Sequence, residues 1–280
     1  MSRPERLSVA RRPPAGAEIP GFVCIILCVS GREFNPQTTE GIRVSPPPGS
    51  ISVVLPMYNE EKNAEKAVES LDRVLSGAFD DYEILVVESG STDLTVEIAD
   101  RLADSNPRVR VIHQINREGL GSAIRLGFAN ARKDYILYID SDEPFDVEEI
   151  AGVIPLLDPE RALIGYRIGE RESFKRKLFS RVYNTLVELV FRLGVRDVNF
   201  SMKLIPRNQL QKLDLRANGC FYDAELIAEL KRAGTPITEV GFEYNQRQYG
   251  MSSLDRLPVI LDILWEMLVY LFRKKRRVTP

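Results

Sequence analysis

A single histidine and three cysteines in 280 residues leave little with which to build a structural zinc site or a disulfide framework. Cys24, Cys28 and Cys220 form no Cys-x-x-Cys pair, and His113 has no companion, so Cys220 reads as a small buried hydrophobe and His113 as an ordinary strand residue. Charge of one sign is lacking too: 38 Lys and Arg stand against 40 Asp and Glu, a net −2, which excludes a global attraction to nucleic acid and leaves only local patches. No uninterrupted apolar run reaches the roughly 18 residues of a membrane-spanning helix. The 18 Gly and 17 Pro follow no fixed period, which excludes a collagen-like fibre, and 44% hydrophobic residues exclude disorder throughout.

Two shorter apolar segments stand out. GFVCIILCVS at 21–30 follows Arg11 and Arg12 and faintly resembles a signal peptide, but its core is short and no clean small-x-small cleavage site follows. With RRPPAGAEIP and SPPPGS around it, residues 1–50 are expected to form a mobile extension outside the fold. The second segment, LPVILDILWEMLVYLF at 257–272, places Asp262 and Glu266 four residues apart on one helical face and is otherwise apolar. RKKRR follows at 273–277, a cationic cluster suited to anionic headgroups. Residues 256–280 therefore form an amphipathic C-terminal helix with a basic tail, packed on the domain, on a second subunit or membrane partner, or in the plane of a bilayer, with Trp265 as an anchor.

Between these ends the pattern alternates β-branched runs with segments of helical period, the mark of an α/β fold with a mostly parallel sheet and helices on both faces. Strands are expected at 51–56, 82–88, 108–114, 135–140, 162–168, 201–206 and 236–244. Helices are expected near 60–76, 92–105, 119–132, 146–157, 173–194 and 222–233. No Pro/Gly-rich linker divides 51–255, which reads as one domain.

In such sheets the ligand lies beyond the carboxyl ends of the strands, and here those ends are acidic: PMYNEE at 56–61, ESGSTD at 88–93 and DSDEPFD at 140–146. Neither a dinucleotide fingerprint nor a P-loop is present; the Gly-x-Gly in GLGSAIRLG follows the third strand with the wrong spacing. Asp140 and Asp142 lie two apart at a strand end, so both carboxylates project to the same side. That pair is costly unless a proton or a cation separates the charges, and magnesium or manganese bridging to substrate phosphates fits. An acidic cap on the following helix fits the same residues.

The ordered set ISVVLPMYNEE, VVESGSTD, REGLGSAIRLGFANA and YILYIDSDEP resembles the family 2 glycosyltransferases of the GT-A fold, over roughly residues 51–255. DVNFSMKLIPR, FYDAELIAEL and ITEVGFEYNQRQYGMSSL are similar to the polyprenyl-phosphate sugar transferases of that family. The resemblance implies a nucleotide-sugar donor and a divalent metal, magnesium or manganese, held by Asp140 and Asp142. It implies that Pro56, Tyr58, Asn59 and Glu60 hold the nucleoside, with Arg117 and Gly121 also at the substrate. Glu88 and Ser89 stand where the family often has two aspartates. Pro144 stands where its lipid transferases often have Gln. Arg247, Gly250, Ser252 and Ser253 match an Arg-x-x-Gly-x-Ser segment near substrate phosphates, and an Arg fork suits phosphate.

Arg171, Lys175, Arg176, Lys177 and Arg181 precede an apolar helical face of Leu178, Val182, Leu186 and Leu189, a combination suited to a lipid phosphate or equally to an ordinary amphipathic helix with a solvated end. A phosphate monoester is mostly dianionic at neutral pH and needs cations more than a base. The expected activity is thus metal-dependent, inverting transfer of a sugar from a donor of the GDP-mannose or UDP-glucose type to a polyprenyl or dolichyl phosphate, by a peripheral protein on the cytoplasmic face of a membrane. Two alternatives stay open: a hydroxyl acceptor with Asp223 or Glu225 as base, and a degenerate, non-catalytic membrane partner.

Overall fold

In a computed structural model, the described residues are 49–142, 145–169, 174–243 and 257–278, with side chains described from 183 in the helix beginning at 174 and from 262 to 274 in the last helix. The seven expected strands all form: β1 (Ile51–Met57), β2 (Tyr82–Glu88), β3 (Val109–His113), β4 (Tyr135–Tyr138), β5 (Ala162–Ile168), β6 (Lys203–Pro206) and β7 (Ile237–Glu243). They make one sheet in the order β3-β2-β1-β4-β6-β5-β7.

Six strands run in one direction. β6 alone is antiparallel, to both β4 and β5. It enters the sheet from the opposite end and sets Lys203 opposite Tyr138 at the carboxyl end of β4. Strand direction is not written in the residues of SMKLIP, so this reversal is a product of the chain path.

The helices are α1 (Ala64–Ser76), α2 (Thr95–Ser105), α3 (Leu120–Asn130), α4 (Glu149–Val153) with a 3-10 turn (Ile154–Leu156), α5 (Phe174–Phe191), α6 (Arg207–Leu210), α7 (Tyr222–Arg232) and α8 (Leu257–Val278). Alternation within the strands divides the core in two. Ile51, Val53, Leu55, Ile84 and Val86 meet α1, α2 and α4, while Val54, Leu85, Val87, Ile136 and Tyr138 meet α3, α7, α8 and the last turns of α5. β1 and β2 are buried along their whole length, as expected of central strands covered on both faces. α3 approaches the sheet so closely that a Cβ on Gly127 would lie 2.3 Å from Val54 Cγ1.

α8 differs from the simple two-faced helix of the sequence. Its inner side packs Ile263, Met267 and Tyr270 on α7 and α5. Tyr270 Oη donates to Glu229 Oε1 at 2.6 Å, and Arg273 Nη2 to Glu225 Oε1 at 2.7 Å. Lys274 Nζ pairs with Glu229 at 2.7 Å. Two of the five tail cations are therefore taken up by buried carboxylates. Glu266, expected on one helical face with Asp262, accepts from the backbone N–H groups of Asn218 and Gly219 at 2.7 and 2.8 Å. The outer side carries Trp265, Leu268, Val269 and Phe272, all exposed. Among the described residues, no helix is long and apolar enough to cross a membrane.

Candidate active site

The carboxyl ends of β1 and β2 are tied together by side chains that reach across. Asn59 takes a left-handed φ of 55°, a conformation Asn tolerates better than most residues. Its Oδ1 then accepts from Thr92 N at 2.8 Å, and its own N–H donates to Ser91 Oγ at 3.0 Å. Glu60 N donates to Thr95 Oγ1 at 2.8 Å and Glu61 N to Asp93 Oδ2 at 3.2 Å. These bonds shape the mouth of the cleft before any ligand arrives. Pro56 is a buried residue of β1, and Tyr58, the first residue past the strand, lies under the Arg117 guanidinium at 3.8 Å from its ring centroid. That contact is worth about 0.5–1 kcal/mol at an exposed site.

Glu88 is buried, and its carboxylate accepts from Ser91 N and faces His113 Nδ1 at 3.4 Å. Burial works against its ionised form, but the Ser91 donors and His113 outweigh it and hold the pKa low. Its oxygens thus serve the turn after β2. His113 Nε2 meets Asp100 Oδ1 at 2.9 Å. Burial lowers the His113 pKa and the two carboxylates raise it by more, so the lone histidine is an acid-bridging pin rather than an idle strand residue. Ser89 Oγ donates to Gln114 Oε1 at 3.0 Å, and Gln114 Nε2 to Ser122 Oγ at 3.1 Å. Ser122 Oγ in turn donates to Glu118 Oε2 at 2.9 Å, so a relay of uncharged side chains ending on that carboxylate starts from the place where the family often has its second aspartate.

Gly119 and Gly121 open α3, but their smallness serves packing. A Cβ on Gly121 would lie 2.5 Å from Ala217 O, and one on Gly119, at φ 106°, 2.3 Å from Asn218 O. The loop of residues 214–220 is pressed between α3 and α8: Ser122 N donates to Asn218 O, Arg125 to Asn218 Oδ1 at 2.7 Å, and Glu266 holds the other side.

At the end of β4, Asp140 and Asp142 are half-buried about a buried Ser141. Tyr138 Oη donates to Asp140 Oδ1 at 3.0 Å. Burial, then the charges of Asp140 and Asp223, push the Tyr138 pKa well up, so the phenol stays a donor. Lys203 is fully buried; its Nζ is 2.6 Å from Asp223 Oδ1, donates to Phe200 O at 2.8 Å and stands 5.4 Å from the Tyr138 ring centroid. Burial raises the Asp223 pKa, Lys203 only partly counters it, and Asp140 raises it further, which puts the two aspartates in electrostatic range. Asp140 and Asp142 supply hard oxygen donors of the kind a magnesium or manganese ion shares with phosphates and water. Among the described residues no group of three or more His, Cys, Asp or Glu makes an all-protein metal cage.

The sequence candidates divide accordingly. The carboxyl ends of β1, β2, β3 and β4 bring Tyr58, Asn59, Glu60, Glu88, Ser89, Arg117, Asp140 and Asp142 to one end of the sheet, and Asp223 joins them through Lys203. Glu225 does not: its Oε2 accepts from Arg216 N and Ala217 N at 2.8 and 2.7 Å and its Oε1 from Arg273, so it fastens a loop and α8. Arg171, Arg247, Gly250, Ser252 and Ser253 lie outside the described residues, as does Pro144; the side chains of Lys175 to Val182 are likewise not described. Of the expected apolar face of α5, Leu189 is exposed and Leu186 packs on the core. Tyr138, Lys203 and Gln114 were not singled out by the sequence reading. A lysine inside the apolar run of β6 was a signal that could have been used, because a charge there must be paired. Cys220 is half-buried, and burial followed by the charge of Asp223 pushes its thiol up to about 12, which leaves it inert.

The model of the family described as glycosyl transferase family 2 matches residues 52–214. Glycosyltransferase AglD of Haloferax volcanii is 32% identical over 82% of this chain, which spans 39% of that relative's length. Polyprenol monophosphomannose synthase of Mycolicibacterium smegmatis is 29% identical over 72% of the chain and 80% of its own. Among solved structures, glucosyl-3-phosphoglycerate synthase from Mycobacterium tuberculosis in complex with manganese, UDP and glucosyl-3-phosphoglycerate superposes with a TM-score of 0.59 and 25% identity, covering 77% of this chain and 78% of that one. With the acidic strand ends and the Asp140–Asp142 pair on the matched segment, the chain belongs to glycosyl transferase family 2 and carries its GT-A fold.

Proposed function

We propose that this glycosyltransferase moves a sugar from a nucleotide-sugar donor to a polyprenyl phosphate, with inversion at the sugar and with a divalent metal at Asp140 and Asp142. The observation that carries the reading is the pair of half-buried carboxylates at the end of β4, at the same end of the sheet as the Tyr58–Arg117 stack and the bonded turns after β1 and β2. The acceptor's phosphate oxygen forms the new bond to the anomeric carbon as the bond to the nucleoside diphosphate breaks, and the electron pair leaves with the diphosphate. When bound, the metal supplies positive charge to that leaving group. Asp140 and Asp142 hold it, Tyr58 and Arg117 flank the nucleoside, and Arg247 is assigned to phosphate. A phosphate acceptor arrives ionised, so the chain needs no proton acceptor for the step.

The membrane side of the reading rests on α8. Trp265, Leu268, Val269 and Phe272 recur at helical spacing on its exposed side, and Lys275, Arg276 and Arg277 follow in sequence. Apolar contact and cations together suit the interface of an anionic bilayer, where the lipid acceptor resides. Like-charged tails disfavour the same surface as a contact between two copies.

A hydroxyl acceptor stays as a second reading because Asp223, whose pKa is raised chiefly by burial and next by the charge of Asp140, is an acid linked through Lys203 to the same strand ends. Transfer of labelled sugar from GDP-mannose and UDP-glucose into an organic-extractable product, with polyprenyl phosphate and manganese or magnesium, separates the two. Metal-dependent label in the organic phase, lost in Asp142→Ala, supports the lipid phosphate. Donor binding without that product, together with transfer to a sugar hydroxyl, overturns it. No donor binding at all points to a non-catalytic partner.

A further inference from the structure

Of the two carboxylates assigned to the metal, Asp140 is held by a donor from the strand that carries it. Asp140 Oδ1 already accepts the hydrogen bond of Tyr138 Oη at 3.0 Å, and the phenol that donates it is fully buried. Tyr138 and Asp140 are two residues apart at the strand end, so their side chains emerge on the same face and the bond forms without distortion of the chain. The ring has no freedom to leave. Lys203 Nζ sits 5.4 Å from its centroid, held by Asp223 at 2.6 Å and Phe200 O at 2.8 Å. Strand β6, the one antiparallel member of the sheet, puts that lysine directly opposite Tyr138 in the ladder.

We propose that Tyr138 is a positioning residue that makes Asp140 a one-oxygen ligand and thereby selects a small octahedral cation over calcium. The phenol's hydrogen bond takes one of the two lone pairs of Oδ1 and draws charge from it, so Oδ2 is the freer oxygen for a cation and chelation by both oxygens would compete with that bond. Magnesium accepts single oxygens in a strict octahedron, and manganese suits the same kind of oxygen site. Calcium takes six to eight oxygens and commonly gains them from carboxylates bound through both. Outer partners of this kind typically change metal affinity by about ten- to a hundred-fold when removed. The inference rests on Asp140 and Asp142 being the metal site.

Tyr138→Phe keeps the ring and removes only the hydroxyl. The measurement is the electron paramagnetic resonance signal of free manganese, titrated with protein in the presence of UDP or GDP and then competed with calcium. Wild type should bind manganese and resist calcium. Tyr138→Phe should bind manganese about ten-fold more weakly and lose most of its preference over calcium, while Asp142→Ala should bind neither. Unchanged manganese affinity and selectivity in Tyr138→Phe would overturn the role of Tyr138 while leaving the metal site intact. A wild type that binds no manganese with either nucleotide would overturn the site itself. Should Tyr138→Phe not fold, wild type alone decides: the infrared carboxylate bands of aspartate-labelled protein on manganese loading should show the wide separation of one-oxygen binding, and a narrow, chelating separation would sink the proposal.

Discussion

The two faces of the sheet are built of different material. Toward α1, α2 and α4 the core is aliphatic and aromatic, with Leu55, Val68, Leu71, Ile84 and Ile150 almost wholly buried, and its strand-end charge, Glu88, is tied through His113 to Asp100 of α2. Toward α3, α7 and α8 the chain buries Lys203, Asp223, Glu225, Glu229 and Lys274 as well. Charges are removed from water only where partners hold them, because an unpaired one costs several kcal/mol. The first face is thus a scaffold that could be repacked. The second has its geometry set by ion pairs, and from it Tyr138 reaches Asp140 while Glu266 holds the loop against α3.

Four changes would break or sharpen that contrast. Lys203→Met leaves Asp223 buried without its cation and should cost about 3–5 kcal/mol in chemical denaturation, much of it regained in a Lys203→Met, Asp223→Leu double variant. A loss below about 1 kcal/mol would mean that the pair does not organise its face. On the apolar side, Leu55→Ala should cost about 2–5 kcal/mol by opening a cavity, and the folded fraction should keep its KM. An altered KM would show that the scaffold face also shapes the site. Gly121→Ala should lower stability by about 1–3 kcal/mol through overpacking against Ala217 O. If melting is unchanged and only the KM for donor rises, Gly121 is a substrate contact and not a packing position.

The smallest effect concerns the one carboxyl of α4 that departs from the apolar rule. Burial, partly relieved by the Glu243 backbone and reinforced by the charges of Asp146 and Glu243, raises the Glu149 pKa to about 7. The folded state therefore holds this proton more tightly than the unfolded chain. The resulting stability is complete below about pH 4.5 and is lost as pH rises through about 7. Melting of wild type should fall slightly between pH 5 and 8 relative to Glu149→Gln; parallel curves would refute the shift.

The strands and helices were legible because each carries its own periodicity, and all seven strand expectations overlap the observed ones. The short α6 was missed, since four residues after Pro206 carry no period to read. Of the site, the acidic strand ends and Asp140–Asp142 were legible from position and residue type. Glu225 was legible only as an acid two residues from Asp223; that the helical turn aims it at Arg273 was not. Likewise Gly121, which the resemblance puts at the substrate, is pressed against the backbone of residues 217–218.

What the sequence by itself determined is whatever depends on near neighbours: the α/β alternation, the burial of β1 and β2, the carboxylates two apart after β4, and the family to which those motifs belong. What only the tertiary structure decided is whatever depends on groups far apart in the chain. The reversal of β6, the Lys203–Asp223 pair under Tyr138, the bridging of Glu88 and Asp100 by His113, and the clamp of Glu266 on residues 218–219 all join segments that no local pattern connects. Local propensity acts over a few residues, while a buried charge or an orphaned amide is satisfied by whichever partner the packing of the sheet brings within about 3 Å.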